Sequence, residues 1–113
     1  MSECLFCRIA RREIPAEIVA ENHELVAFTD SNPQAPTHLL IVTKTHIAKI
    51  SDLTETTAQV MTHATMMANR LAKQYGIDEG YRLVVNCGSQ AGQSVWHLHL
   101  HLLGGRSMRW PPG

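Results

Sequence analysis

No stretch of the chain approaches the roughly 18 consecutive apolar residues of a membrane span, and its first residues lack the apolar run of a signal peptide. Neither basic nor acidic charge is in excess: ten Lys and Arg balance ten Asp and Glu, so no net field draws the chain to nucleic acid or to an anionic membrane. An anionic ligand must then be held by local donors. Cysteines number only three, an odd count that argues against a disulfide scaffold and for free thiols or a metal site in a reducing compartment. Repeats and low-complexity linkers are also lacking. A cytoplasmic protein that binds neither nucleic acid nor membrane is expected. Its 113 residues suit one domain over 1–113, large enough to bury about two-thirds of its unfolded surface.

What the chain does have is a strict alternation near its C-terminus, Trp96-His97-Leu98-His99-Leu100-His101-Leu102. Alternation at period two is the pattern of a strand with two unlike faces, so the three histidines form a row spaced by about 6.6 Å. Trp96, Leu98, Leu100 and Leu102 are expected to face a core. Histidine serves proton transfer, nucleophilic attack and metal binding near neutral pH. Packing alone, a zinc site shared by i and i+2 imidazoles, and catalysis are the three readings of the row.

Elsewhere the pattern predicts an α+β chain. Leu5, Phe6 and Ile9 fall at helical spacing in a short helix over 4–12, closed before Pro15. Strands are expected over 17–20, 25–29 and 39–43 as an antiparallel meander, with a fourth over 81–86 and the histidine strand as the fifth. A long helix entered through Ser51 and Asp52, with Glu55 completing a capping box, carries the stripe Leu53, Val60, Ala64, Met67 and Leu71, and Gly76 ends it. Cys87 reads as a small buried residue, and His23 and His63 as surface histidines. The loop Gly88 to Ser94 places two glycines with hydroxyl and amide side chains just before the imidazoles. Such a loop can turn N–H groups toward a phosphate.

The run His97-Leu98-His99-Leu100-His101-Leu102-Leu103, with the preceding Gly92-Gln93-Ser94, resembles the signature of the histidine triad (HIT) superfamily. Phe28-Thr29-Asp30, Pro33-Gln34-Ala35-Pro36-Thr37-His38, Gly80-Tyr81-Arg82, Asn86, Gly104-Gly105-Arg106 and the closing Trp110-Pro111-Pro112-Gly113 are similar to the bacterial-type histidine triad nucleotide-binding (Hint) branch. This resemblance implies a HIT-like fold, a five-stranded antiparallel sheet with one long and one short helix, extended to ten strands in a homodimer. Trp110 would then pack on the same or a second subunit.

The activity it implies is that of a purine nucleoside phosphoramidase with no cofactor required for catalysis. Dinucleoside-polyphosphate hydrolysis, or nucleotide or partner binding with incidental hydrolysis, are the alternatives. In the implied scheme His99 is the nucleophile and His97 orients it. His101 and Ser94 serve the phosphate and the departing amine, and His38 stands behind the nucleophile as a proton relay. The backbone of Gly92, Gln93 and Ser94 and the side chain of Asn86 would hold phosphate, and Asp30, with Ser31 beside it, the ribose. Leu5, Phe6, Ile9 and Phe28 would enclose the purine, or serve as plain core. Ser31-Asn32 departs from the branch, which commonly has an apolar residue and then serine there. Cys4 and Cys7 match a pair found in zinc-containing relatives, with His46 and His97 as the matching histidines. These four are a candidate structural zinc set, with two unbound thiols as the alternative.

Overall fold

The computed structural model describes residues 4–113. Five antiparallel strands, β1 (Ile18–Glu21), β2 (Leu25–Thr29), β3 (Thr37–Thr43), β4 (Tyr81–Val84) and β5 (His99–Gly104), form one sheet in the order β1-β2-β3-β5-β4. The expected meander of β1 to β3 is present, and β5 inserts between β3 and β4. Period two then divides the sheet into unlike faces. Leu25, Ala27, Leu39, Ile41, Leu98, Leu100 and Leu102 project to one side, where Val60, Ala64, Met67, Ala68 and Leu71 of the long helix α2 (Gln59–Gln74) complete the main core. Val26, Phe28, Leu40 and Val42 project to the other, beneath Phe6 and Ile9 of the short helix α1 (Leu5–Ala10). β2 and β3 are covered on both faces, which explains their continuous apolar runs. Each fully buried Leu or Ile contributes about 2 kcal/mol.

Both helices end in the same way. Beyond α2, Gly76 takes φ 72°, the Ile77 amide donates to Ala72 and the Gly76 amide to Lys73, a Schellman closure. Beyond α1, Arg12 takes φ 60° and the amides of Glu13 and Arg12 close on Arg8 and Ile9. The stop signal of α1 is thus a left-handed arginine rather than Pro15. Gly104 owes its identity to packing: a Cβ there would lie 2.6 Å from Ile77 Cδ1 and 3.0 Å from Ile77 Cβ.

Four expectations need correction. The long helix does not start at Asp52: residues 50–52 form a 3-10 turn, and the box that opens the helical turns is Thr54 with Thr57, each hydroxyl accepting the other's amide at 3.3 and 2.9 Å. Threonine hydroxyls reach those amides as well as a carboxylate does, and Leu53 packs on the core from outside the helix. The regular strand begins at His99, so His97 precedes it, although the Leu98 amide still donates to Ile47 at 2.6 Å. Trp96 is 46% exposed, because the inward alternation begins only at Leu98. Cys87 is exposed rather than buried, its thiol beside the Ser51 hydroxyl at 3.4 Å. Trp110 is 82% exposed on this chain. No helix among the described residues is long and apolar enough to cross a membrane.

Candidate active site

The histidine row lies on the α1 face of the sheet. His99 pairs with Val42 and His101 with Leu40 across β3. The row is largely enclosed: His97 is 0% and His99 9% exposed, and Phe6 meets both rings edge-on at 6.0 and 5.1 Å.

Hydrogen bonds to carbonyls fix the state of two of these rings, because a carbonyl only accepts. His99 Nδ1 lies 2.6 Å from the His97 carbonyl, so Nδ1 carries the proton and Nε2 a lone pair. That Nε2 has no partner among the described residues, and no polar side-chain atom of the described residues is both buried and unpartnered, so it reaches solvent. The orienting role expected of His97 is therefore played by its peptide oxygen. Its imidazole faces elsewhere: Nε2–H donates to the Thr43 carbonyl at 2.6 Å, which frees the Nδ1 lone pair.

That lone pair points into the cysteine pair. His97 Nδ1 lies 3.2 Å from Cys4 Sγ, 3.5 Å from Cys7 Sγ and 3.3 Å from His46 Nδ1, and His46 Nδ1 lies 3.3 Å from Cys7 Sγ. Tetrahedral zinc with bonds of about 2.0–2.3 Å separates its ligand atoms by about 3.3–3.7 Å. The four residues fit zinc in donor type and spacing, and His97 also in tautomer. Burial and the neighbouring Cys4 push the Cys7 thiol up, a cost that a bound cation offsets. A second cluster, Asp30, His38 and His101, has donor atoms equally close together but the wrong protonation. The Gln34 amide donates to His38 Nδ1 at 3.0 Å, which requires the proton on the Nε2 that would have to bind metal.

His38 does not stand behind His99. Its Nε2 lies 2.9 Å from His101 Nδ1 and 3.4 Å from Asp30 Oδ2. Burial, then the nearby His99 and His38, pushes His101 down to about 4, and burial also lowers His38 against the pull of Asp30. An imidazole lowered in this way binds fewer protons folded than unfolded between its two pKa values. Its stability contribution is complete above pH 6.5 and is lost as the pH falls toward 4. The urea midpoint should therefore drop over that window. The His101 share is on the order of 3 kcal/mol at pH 4, and His101→Gln should flatten the profile.

A groove of about 480 Å3 runs between α1 and the end of β2. It brings together Leu5, Phe6, Ile9, Phe28, Asp30, Ser31 and Ser94 from the sequence reading. Phe6 joins groove to row, forming a wall of one and touching the imidazoles of the other. His99, His101, Asn86, Gly92 and Gln93 do not line it. Asn86 is half-buried and lies two residues beyond Val84, the last residue of β4, which pairs with His101. The groove also takes Ile14, Pro15, Ala16, Glu17, Leu40 and Val95, which the sequence reading missed. Only Leu40 carried a usable signal, two residues beyond His38 on the same strand face.

The loop before the row is less open than expected. The amides of Gly92 and Gln93 already donate to Ser89 and Gly88 at 3.0 and 3.1 Å. The Gln93 side chain is buried, accepting from Gly88 and donating to the carbonyls of Ala48 and Val95, so it braces the loop. Ser94 is exposed, and its amide and hydroxyl have no partner among the described residues. Of the loop's expected phosphate donors, Ser94 is the one left free.

The HIT domain family matches residues 11–108. An uncharacterized HIT-like protein of Synechococcus elongatus is 48% identical over the full length of both chains. The crystal structure of a HIT family hydrolase from Legionella pneumophila superposes with a TM-score of 0.96 at 53% identity, over 98% of this chain and 100% of that one. A histidine triad nucleotide-binding protein from Candida albicans superposes with a TM-score of 0.83 at 30% identity, over 98% of this chain and 85% of that one. Sheet order, imidazole row and sequence together place the chain in the HIT domain family, with the fold of its hydrolases.

Proposed function

We propose that the protein hydrolyses purine nucleoside 5′-phosphoramidates through a nucleotidyl-His99 intermediate, as a member of the nucleotide-binding branch. The observation that carries this reading is the state of His99: Nδ1–H bound to the His97 carbonyl, and an Nε2 lone pair open to solvent. A neutral imidazole in that tautomer attacks phosphorus without a separate base. Its Nε2 forms a bond to the α-phosphorus as the P–N bond breaks, and the positive charge gained is stabilised at Nδ1–H by the carbonyl. The leaving amine takes one proton from solvent by way of the exposed Ser94 hydroxyl. Water then attacks phosphorus, losing a proton to solvent, the bond to His99 breaks with its electron pair returning to Nε2, and the nucleoside monophosphate leaves. Asp30 and Ser31 at the groove edge suit ribose hydroxyls, and Leu5, Phe6, Ile9 and Phe28 suit a purine.

Zinc held by Cys4, Cys7, His46 and His97 is part of the same proposal, in a structural role, and free thiols suit a reducing cytoplasm. A homodimer joined along the edge strand β4 would extend the sheet to ten strands, cover Met66 beside Tyr81 and give Trp110 a partner.

The test is a side-by-side assay of an adenosine 5′-phosphoramidate carrying a fluorescent amine and of diadenosine tetraphosphate. Faster amine release, by about tenfold or more, supports the reading. Faster polyphosphate cleavage replaces it with that hydrolase activity, and AMP binding without turnover of either replaces it with a binding protein.

A further inference from the structure

Around His38 the hydrogen bonds run in a single direction. The Gln34 amide donates to His38 Nδ1, and a peptide N–H cannot accept, so neutral His38 carries its proton on Nε2. That Nε2–H faces two acceptors, His101 Nδ1 at 2.9 Å and Asp30 Oδ2 at 3.4 Å. Asp30 is itself fixed, its Oδ1 accepting from the Asn32 amide at 2.8 Å. His101 Nδ1 is thereby an acceptor, and the His101 proton is left on Nε2. This Nε2 has no partner among the described residues and reaches solvent, on a ring whose centroid lies 5.0 Å from that of His99.

We propose that His38 is a positioning residue that locks His101 as the neutral Nε2–H tautomer, so that His101 presents a hydrogen-bond donor to the reacting phosphoryl group. What that donor meets rests on the proposed function; the tautomer itself does not.

The lock is incompatible with the relay that family resemblance implies for His38. Passing the Nε2 proton to His101 would leave His38 as an imidazolate, whose Nδ1 still faces a donor. Refilling Nδ1 would set its N–H against the Gln34 N–H. The ionisable groups that face His101 are Asp30 at the end of β2, His38 on β3 and His99 on its own strand, while β4 offers Val84 opposite it. Asp30 is the single carboxylate among them, and it strengthens the lock by favouring the proton on His38 Nε2. The depressed pKa of His101 agrees with a ring that stays neutral through the physiological range.

Two measurements decide the matter. Nitrogen-15 NMR of the imidazoles in the wild-type protein, with His101 assigned through His101→Gln, should report the Nε2–H tautomer, neutral from pH 7.5 down to about 5.5. In turnover, His38→Gln keeps an N–H donor for His101 but cannot relay a proton, whereas His38→Met keeps neither. The lock predicts a kcat for His38→Gln about tenfold above that of His38→Met, with similar KM. A His101 Nδ1–H signal, or equal kcat values for the two variants, overturns it. Should His38→Met fold poorly, the wild-type spectrum decides alone. Should wild type cleave no phosphoramidate, the proposed function fails while the spectrum still tests the lock.

Discussion

Replacing His99 with alanine should lower phosphoramidate turnover by about 10^4-fold or more, while AMP binding changes by less than about tenfold. The asymmetry follows from what the side chain supplies. His99 is enclosed between Phe6, Val42 and His101, and its Nε2 is an imidazole lone pair that reaches solvent with its tautomer fixed by a carbonyl. Alanine removes the attacking atom, and the serine, carbonyls and donors that remain cannot form the covalent intermediate. His99 does not line the groove, which should be left intact. Rapid-quench analysis with a radiolabelled substrate should trap a nucleotidyl adduct on wild type and none on His99→Ala. Turnover by the variant within about tenfold of wild type would remove His99 from the chemistry.

The second large effect is expected from the metal. Protein purified with zinc present should carry one zinc per chain, and Cys4→Ala with Cys7→Ala should carry none. Zinc that binds the folded site and not the unfolded chain would stabilise by about 4 kcal/mol when free zinc stands a thousandfold above Kd. A domain of this size shifts by about 4 °C or more per kcal/mol, so chelation should lower Tm by about 15 °C. The consequence extends to ligand binding, because α1 carries Cys7 between Phe6 and Ile9, with Leu5 at its start. Loss of the metal releases that helix from His46 and His97, and AMP affinity should fall with Tm. A chelator that moves neither Tm nor AMP affinity would leave the four residues as a hydrogen-bonded cluster of thiols and imidazoles.

Much of the architecture could be read from period and punctuation. Strict alternation gave β5 its two faces, apolar runs marked β2 and β3, and Gly76 marked the end of α2. The failures share a physical cause: each concerns a place where one group satisfies a need that another residue type could also meet. Thr54 and Thr57 open the turns that lead into α2 in place of Asp52 and Glu55. Arg12 supplies a left-handed turn that statistics assign to glycine. Within the candidate site, side-chain identities were legible and main-chain roles were not. Nothing in the letters at 97, 43 or 34 announces that those peptide groups set the tautomers of His99, His97 and His38. Gln93 misled for the same reason, since an amide that braces a loop is spelled like one that binds phosphate.

Residue 97 serves two masters with different parts of itself. Its side chain belongs to the cysteine cluster and its carbonyl to His99. Every amino acid has that carbonyl, so the alignment of the His99 ring is heritable through changes of letter at this position, provided the main chain stays in place. A lineage could therefore discard Cys4, Cys7 and the imidazole at 97 and still keep a correctly aimed His99, once some other packing held α1 against the sheet. The proposed metal site and the proposed chemistry are thus free to part company over evolutionary time, even though a single residue here would take part in both.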